Sequence, residues 1–310
     1  MARWTVTTEY NILLNGLPSK VAGYTRSVIL PRPGFKPGDT IPPVNVTRRG
    51  FKIDENHLAK FHEMCGGEPS KHLPFVYPLT LLFHYHLGIF AHRDFPWSLR
   101  KLLGLRNHVV QRRRIAVGES LDLEARTASQ RVLPKGVEFD IHTVLSSGGE
   151  SVWESVHVYY LRGSFGGADV RPAVDYLQPF DTAEFETSWD APAGRGWDFA
   201  RLSGDFNPVH YLTPWAKFLG FKRDFSHTQR IVSDCVRRLP EPPEAMDAEP
   251  LRLDVAFKGP VYYGGKLVMK GVKKGNGYRF DLYSDNGNKP AIPGNIQRVK
   301  ADHGLFAQAG

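Results

Sequence analysis

Cysteine, long apolar runs and, over one stretch, acid are what this sequence lacks. Cys65 and Cys235 are its only two cysteines and show no CxxC spacing, which argues against a disulfide framework or a cysteine-ligated zinc. No apolar run approaches the ~18 residues of a membrane span. The opening stretch, MARWTVTTEYNILLNG, has no apolar export core after its single arginine. A soluble, cytoplasmic protein is expected, with no membrane partner. Residues 100–114 contain Arg100, Lys101, Arg106, Arg112, Arg113 and Arg114 and no acid, in a chain of net charge +8. No nucleic-acid motif accompanies them, so nucleic acid is not an expected partner. A solvated face and a site for a phosphorylated small molecule are the two readings kept.

What is present is ordinary globular material. Hydrophobic residues make up 41% and charged residues 23% of 310 positions, enough for one large domain or two of common size. Residues 1–50 carry scattered Pro and Gly and read as irregular, with one strand. DENHLAKFHEM at 54–64 reads as a short helix with an acidic cap, stopped by Gly66 and Gly67. LTLLFHYHLGIF at 79–90 is apolar nearly all round, which predicts an enclosed helix. Alternating stretches at 121–128, 137–145 and 151–161 then predict an antiparallel sheet, with SSGGE as one turn. The glycines and proline of 163–174 read as a linker.

The second half repeats this plan without obvious sequence identity. Ile231, Val232, Cys235 and Val236 share a helical face in 227–238, and strands follow at 251–257, 267–272 and 278–284 before a DNGN turn. An α+β chain built as helix-then-sheet, twice, is the expected architecture, divided as 1–165 and 166–310.

Chemistry concentrates in FARLSGDFNPVHYLTPWA at 199–216. Within six positions it holds a carboxylate, an amide and an imidazole: Asp205, Asn207 and His210. Pro208 fixes its own φ and turns Asn207 toward extended backbone, so the segment bends and the two ionisable groups can meet around one water. Such a pair suits coupled proton transfer. The same Gly-Asp-x-Asn-Pro chemistry also makes ordinary surface turns, and the residues alone leave both readings open. His84, His86 and His92 have no carboxylate or cysteine companions and read as core or surface histidines; no metal is expected.

These residues resemble the MaoC-like, or hydratase-2, family of (R)-specific enoyl-thioester hydratases and dehydratases. Phe199, Leu202, Ser203, Gly204, Asp205, Asn207, Pro208, Val209, His210 and Ala216 fall where its signature has them; Leu219-Gly220-Phe221, His227 and FKGPVYYGG at 257–265 extend the match over about 195–270. The resemblance implies two tandem hot-dog folds, each a curved antiparallel sheet around a central helix. The first would be a degenerate half that shapes the acyl pocket, since LAKFHEMCGGEPSKH replaces the motif there. It implies Asp205 and His210 as catalytic groups, Asn207, His227 and the Thr228 N–H in orientation and oxyanion roles, and Ser203, Gly204 and Phe206 at the substrate; Lys258, between Phe257 and Gly259, reads either as a contact to a phosphopantetheine phosphate or as a solvated strand lysine. Arg112, Arg113 and Arg114 are expected to hold an anionic carrier. That carrier, coenzyme A or acyl carrier protein, belongs to the substrate, and no separate cofactor is implied. Two hot-dogs in one chain make a monomer or a homodimer the expected state. Where relatives read Ala-His-Gly-Met, this chain has Ser226-His227-Thr228-Gln229, which keeps the backbone donor and adds a Cβ and a hydroxyl. A hot-dog thioesterase and a non-catalytic acyl-thioester binding subunit are the alternatives.

Overall fold

A computed structural model of the chain describes residues 10–16, 20–171, 178, 180, 182–246, 250–285, 287–300 and 305. The opening residues 1–9, positions 172–174 of the expected linker and Asn286 of the DNGN turn lie outside them.

Helices α1 (Lys20–Ile29), α2 (Glu55–Cys65) and α3 (Tyr77–Phe90) belong to the first half, with strands β1 (Tyr10–Leu13), β2 (Val44–Phe51), β3 (Leu102–Gln111), β4 (Leu121–Leu133), β5 (Gly136–Ser147) and β6 (Glu150–Arg162). The second half has β7 (Phe185–Asp190), α4 (Gly196–Ser203), α5 (Thr213–Phe218), α6 (Thr228–Arg237), β8 (Leu251–Ala256), β9 (Lys266–Lys274), β10 (Gly277–Ser284) and β11 (Ile292–Arg298). Among the described residues these strands join one 11-stranded sheet in the order β1-β2-β4-β5-β6-β3-β8-β11-β10-β9-β7. Apart from β1, the order within the first half, β2-β4-β5-β6-β3, repeats in the second as β7-β9-β10-β11-β8. The repeat therefore has five strands per unit rather than the three that alternation reveals. Antiparallel pairing of β3 with β8, Arg106 opposite Ala256 through Gln111 opposite Leu251, joins the two units edge to edge. Neither of these inner edges is left unpaired.

Each unit wraps a helix. Pro78 occupies the first turn of α3, where its missing N–H costs nothing, and every residue of α3 except Gly88 is buried. β2 crosses so close that a Cβ on Gly88 would stand 3.0 Å from a Val46 methyl carbon. The shorter α6 is amphipathic, with Ile231, Val232, Cys235 and Val236 in the same apolar core as α3. Asp54 caps α2 by accepting the Asn56 N–H at 2.9 Å. Residues 1–50 hold more than the one strand expected, since β1, α1 and most of β2 lie there. Among the described residues no helix is long and apolar enough to cross a membrane.

The basic stretch 100–114 is mostly β3. Three of its six basic residues pair with acids. Arg106 Nη2 lies 2.7 Å from Glu138 Oε2, Arg112 pairs with Glu154, and Arg113 Nη2 lies 2.6 Å from Glu119 Oε1. Arg114 donates to the carbonyls of Glu244 and Met246 at 2.9 and 3.3 Å.

Candidate active site

Asp205 and His210 sit on the irregular segment between α4 and α5, and local chemistry explains its shape. Gly204 ends α4 in the left-handed region at φ +79°, which glycine adopts without steric cost. Ser203 Oγ donates to the Phe199 carbonyl at 2.9 Å and accepts the Asp205 N–H at 3.3 Å. The Asp205 carboxylate accepts the Asn207 N–H at 3.1 Å, and the Asn207 side chain accepts the Val209 N–H at 3.4 Å. Two such turns in succession fold the six residues back on themselves.

His210 Nδ1 is 2.9 Å from the Phe225 carbonyl oxygen, which can only accept, so Nδ1 carries the proton. Nε2 is thereby turned toward Asp205 Oδ2 at 3.7 Å. That gap is too wide for a direct hydrogen bond and suits a water or hydroxyl between the two groups. Tyr263 holds the other side of His210 by donating to its carbonyl at 2.9 Å. Gly196 is needed here as well, because a Cβ on it would overlap that carbonyl oxygen. Burial raises the Asp205 carboxyl above the ordinary aspartate value, with the His210 charge and the Asn207 N–H opposing. Burial lowers His210, with Asp205 opposing. The two pKa values are pushed toward each other, as shared proton transfer requires.

His227 stacks on His210 with ring centroids 3.9 Å apart and an interplanar angle of 28°. Its Nε2 lies 3.0 Å from the Asp205 carbonyl, and Nδ1 is buried without a partner. Burial holds it well below the usual histidine value. Asp205, His210 and His227 bring ligand atoms within 4.8 Å of one another. Imidazole lone pairs lie in the ring plane, however, and those of two stacked rings do not converge on one ion. One nitrogen of each ring is also committed to a carbonyl. The residues do not fit a metal.

A cavity of about 340 Å³ opens at this pair. Asp205, Asn207, His210, Thr228 and Lys258 line it, together with Phe83, Leu99, Leu102, Leu105, His157 and Tyr159 from the first half. Thr228 begins α6, whose N-terminal end has no side-chain cap, and Thr228 and Gln229 bring that positive dipole end to the cavity wall. Ser203, Gly204 and Phe206 do not line it. Ser203 and Gly204 shape the turn, while Phe206 packs against Trp197 at 5.4 Å between ring centroids. Arg112, Arg113 and Arg114 are not brought to the cavity either, their partners being the acids and carbonyls named above. Arg100, from the same basic stretch, does line it, as do Leu219 and Phe221. No local signal separates Arg100 from its neighbours; it lies just before β3, where the chain passes the cavity mouth.

A 3-hydroxyacyl-thioester dehydratase X of Mycobacterium tuberculosis is 25% identical over 246 residues, covering 79% of this chain and 85% of that protein. The crystal structure of a MaoC-like dehydratase from Phytophthora capsici superposes with a TM-score of 0.69 at 16% identity, covering 84% of this chain and 96% of the other. This chain has the double hot-dog fold of the MaoC-like dehydratases. A further M. tuberculosis protein, described as having a double hot-dog fold, matches with a TM-score of 0.53 at 13% identity over 86% of this chain and 97% of its own. No family model matches. In double hot-dog terms, α3 and α6 are the two central helices, and the Asp-x-Asn-Pro-x-His segment precedes the second of them. The equivalent position in the first unit, between α2 and α3, carries no such motif.

Proposed function

We propose that this double hot-dog protein is a hydro-lyase that interconverts trans-2-enoyl and (R)-3-hydroxyacyl thioesters. The observation that carries the reading is the Asp205–His210 pair, 3.7 Å apart at the end of a cavity that continues into the first unit. The dehydratase name of the M. tuberculosis relative supports it.

In hydration, a water held between Asp205 Oδ2 and His210 Nε2 gives one proton to the pair as its oxygen attacks C3. The C2=C3 electrons move toward the thioester carbonyl, whose developing negative charge is met by the Thr228 N–H at the start of α6. The pair then delivers a proton to C2. Dehydration is the reverse. The two groups titrate as a pair, so the apparent pKa values belong to both. Asn207 orients the turn, and His227 braces His210 from behind. The chemistry calls for no metal or redox group. Coenzyme A or acyl carrier protein would carry the acyl chain, with Arg100 and Lys258 as cations at the rim for its phosphates. Each chain would hold one site, because the motif occurs once and the first unit supplies only cavity wall.

Incubation with crotonyl-CoA and longer trans-2-enoyl-CoA thioesters followed by product analysis tests the reading. A 3-hydroxyacyl thioester is expected, whereas free thiol would indicate a thioesterase and unchanged substrate a binding subunit. Asp205→Asn and His210→Ala should each lose about 10²-fold or more in kcat while keeping the wild-type fold by circular dichroism. Wild-type kcat in either variant removes the assignment.

A further inference from the structure

The first unit's share of the cavity wall is not purely apolar. β6 turns alternate residues inward, and His157 and Tyr159 are successive inward positions with stacked rings, centroids 4.3 Å apart at 12°. Both line the cavity. Each is nearly buried, His157 at 6% and Tyr159 at 4% exposed. Behind them lies a hydrogen-bonded chain. The Tyr159 hydroxyl is 2.9 Å from His86 Nδ1 on α3, and His86 Nε2 is 3.3 Å from Thr143 Oγ1 on β5.

Two further features point the same way. Asn107, directly opposite His157 across β3 and β6, is 1% exposed, and its Oδ1 has no hydrogen-bond partner. Gly104, where the β3–β6 register shifts before Arg106, leaves room at the His157 ring: a Cβ there would stand 3.1 Å from Nε2. Burial holds His157 down at about 3, and burial with the nearby Asp205 charge holds Tyr159 well above the usual phenol value. Both are therefore neutral at ordinary pH, and each can donate or accept a hydrogen bond. A hydrocarbon tail laid against these groups would return no hydrogen bond to them.

We propose that His157 and Tyr159 form a polar subsite for an oxygen substituent on the acyl chain. The substrate class would then be acyl thioesters bearing a hydroxyl or keto oxygen beyond the reacting carbons, rather than plain hydrocarbon chains. The inference rests on the acyl-thioester reading of the site above. It goes beyond that reading by naming what the far wall recognises.

The test uses saturated acyl-CoA thioesters, which bind without reacting, so it does not depend on turnover. Decanoyl-CoA is compared by titration calorimetry with hydroxydecanoyl-CoA analogues whose hydroxyl is moved from C5 to C10. One position is expected to bind about tenfold more tightly than decanoyl-CoA, as one or two well-made buried hydrogen bonds allow. In Tyr159→Phe and His157→Leu, each checked for folding by its thermal melt, the ratio of the two Kd values should fall toward one. Tyr159→Phe removes a single oxygen, so it keeps the test valid if His157→Leu does not fold. Equal Kd values for plain and hydroxylated chains at every position overturn the subsite, as does a ratio that survives Tyr159→Phe. Failure of the wild type to bind any acyl-CoA would instead overturn the acyl-thioester reading, and the subsite with it.

Discussion

Replacing Gly204 with alanine tests how the proposed active-site turn is held. Gly204 closes α4 at φ +79°, donating its N–H to the Ala200 carbonyl at 2.8 Å. A Cβ there would lie 2.6 Å from His84 Nδ1 and 2.7 Å from its Cε1. His84 has 0% exposure, and its Nε2 is 3.1 Å from the Leu202 carbonyl, so the ring has no free space to retire into. Left-handed backbone costs alanine about 1–2 kcal/mol, and overpacking a filled interior adds about 1–3 kcal/mol. The expected loss is therefore about 2–5 kcal/mol by urea unfolding. Strain of that size is relieved by moving the turn, and Asp205 is the next residue. A misplacement of about 1 Å costs on the order of 10²-fold in rate, to be read as kcat/KM for hydration of a trans-2-enoyl-CoA. Adding His84→Ala removes the clash but not the φ strain, so the double variant should lose less stability than the two single losses summed. Stability within about 0.5 kcal/mol of wild type together with unchanged kcat/KM in Gly204→Ala would refute the reasoning.

The buried histidines should make the fold sensitive to acid. His86, His157, His210 and His227 all have folded values below the ordinary one through burial. Their contribution is present above the unfolded value of about 6.5. It is lost as pH falls, at up to about 1.4 kcal/mol per unit per histidine, and for His157 the loss continues to about 3. Chemical denaturation from pH 7 to 5 should show this decline, and a flat profile contradicts it. Arg112→Gln, Arg113→Gln and Arg114→Gln together should lower stability through lost pairing with Glu154 and Glu119 while leaving KM for an acyl-CoA unchanged. Arg100→Gln with Lys258→Gln should instead raise KM and weaken its salt dependence; the opposite pattern would put the carrier on β3. Calorimetric titration with a saturated acyl-CoA should give one site per chain, and two equivalent sites would show that the first unit binds as well.

The candidate active-site segment was legible in the sequence because its geometry is local. Gly204, the side-chain turns of Asp205 and Asn207, and Pro208 bend six residues around one point, so the carboxylate and imidazole stay together whatever surrounds them. α3 was legible because a helix apolar on every face has nowhere to go but inside, and β4, β5 and β6 because they alternate. β3 was not. Its arginines look solvated along the chain, and they acquire Glu138 and Glu154 only when β5 and β6 pair beside it. β11 was hidden by Pro293 and Gly294, residues that usually break strands, yet a Cβ on Gly294 would overlap the Phe280 ring of β10. The cavity was out of reach for the same reason. Arg100, His157 and Tyr159 are separated from Asp205 by tens of residues, and no local pattern marks them. They face it because β3 pairs with β8 and seats the first unit's helix and sheet against the second unit's active-site turn. Pairing between distant edges is a property of the folded sheet, and through it tertiary structure decided which side chains form the substrate's walls.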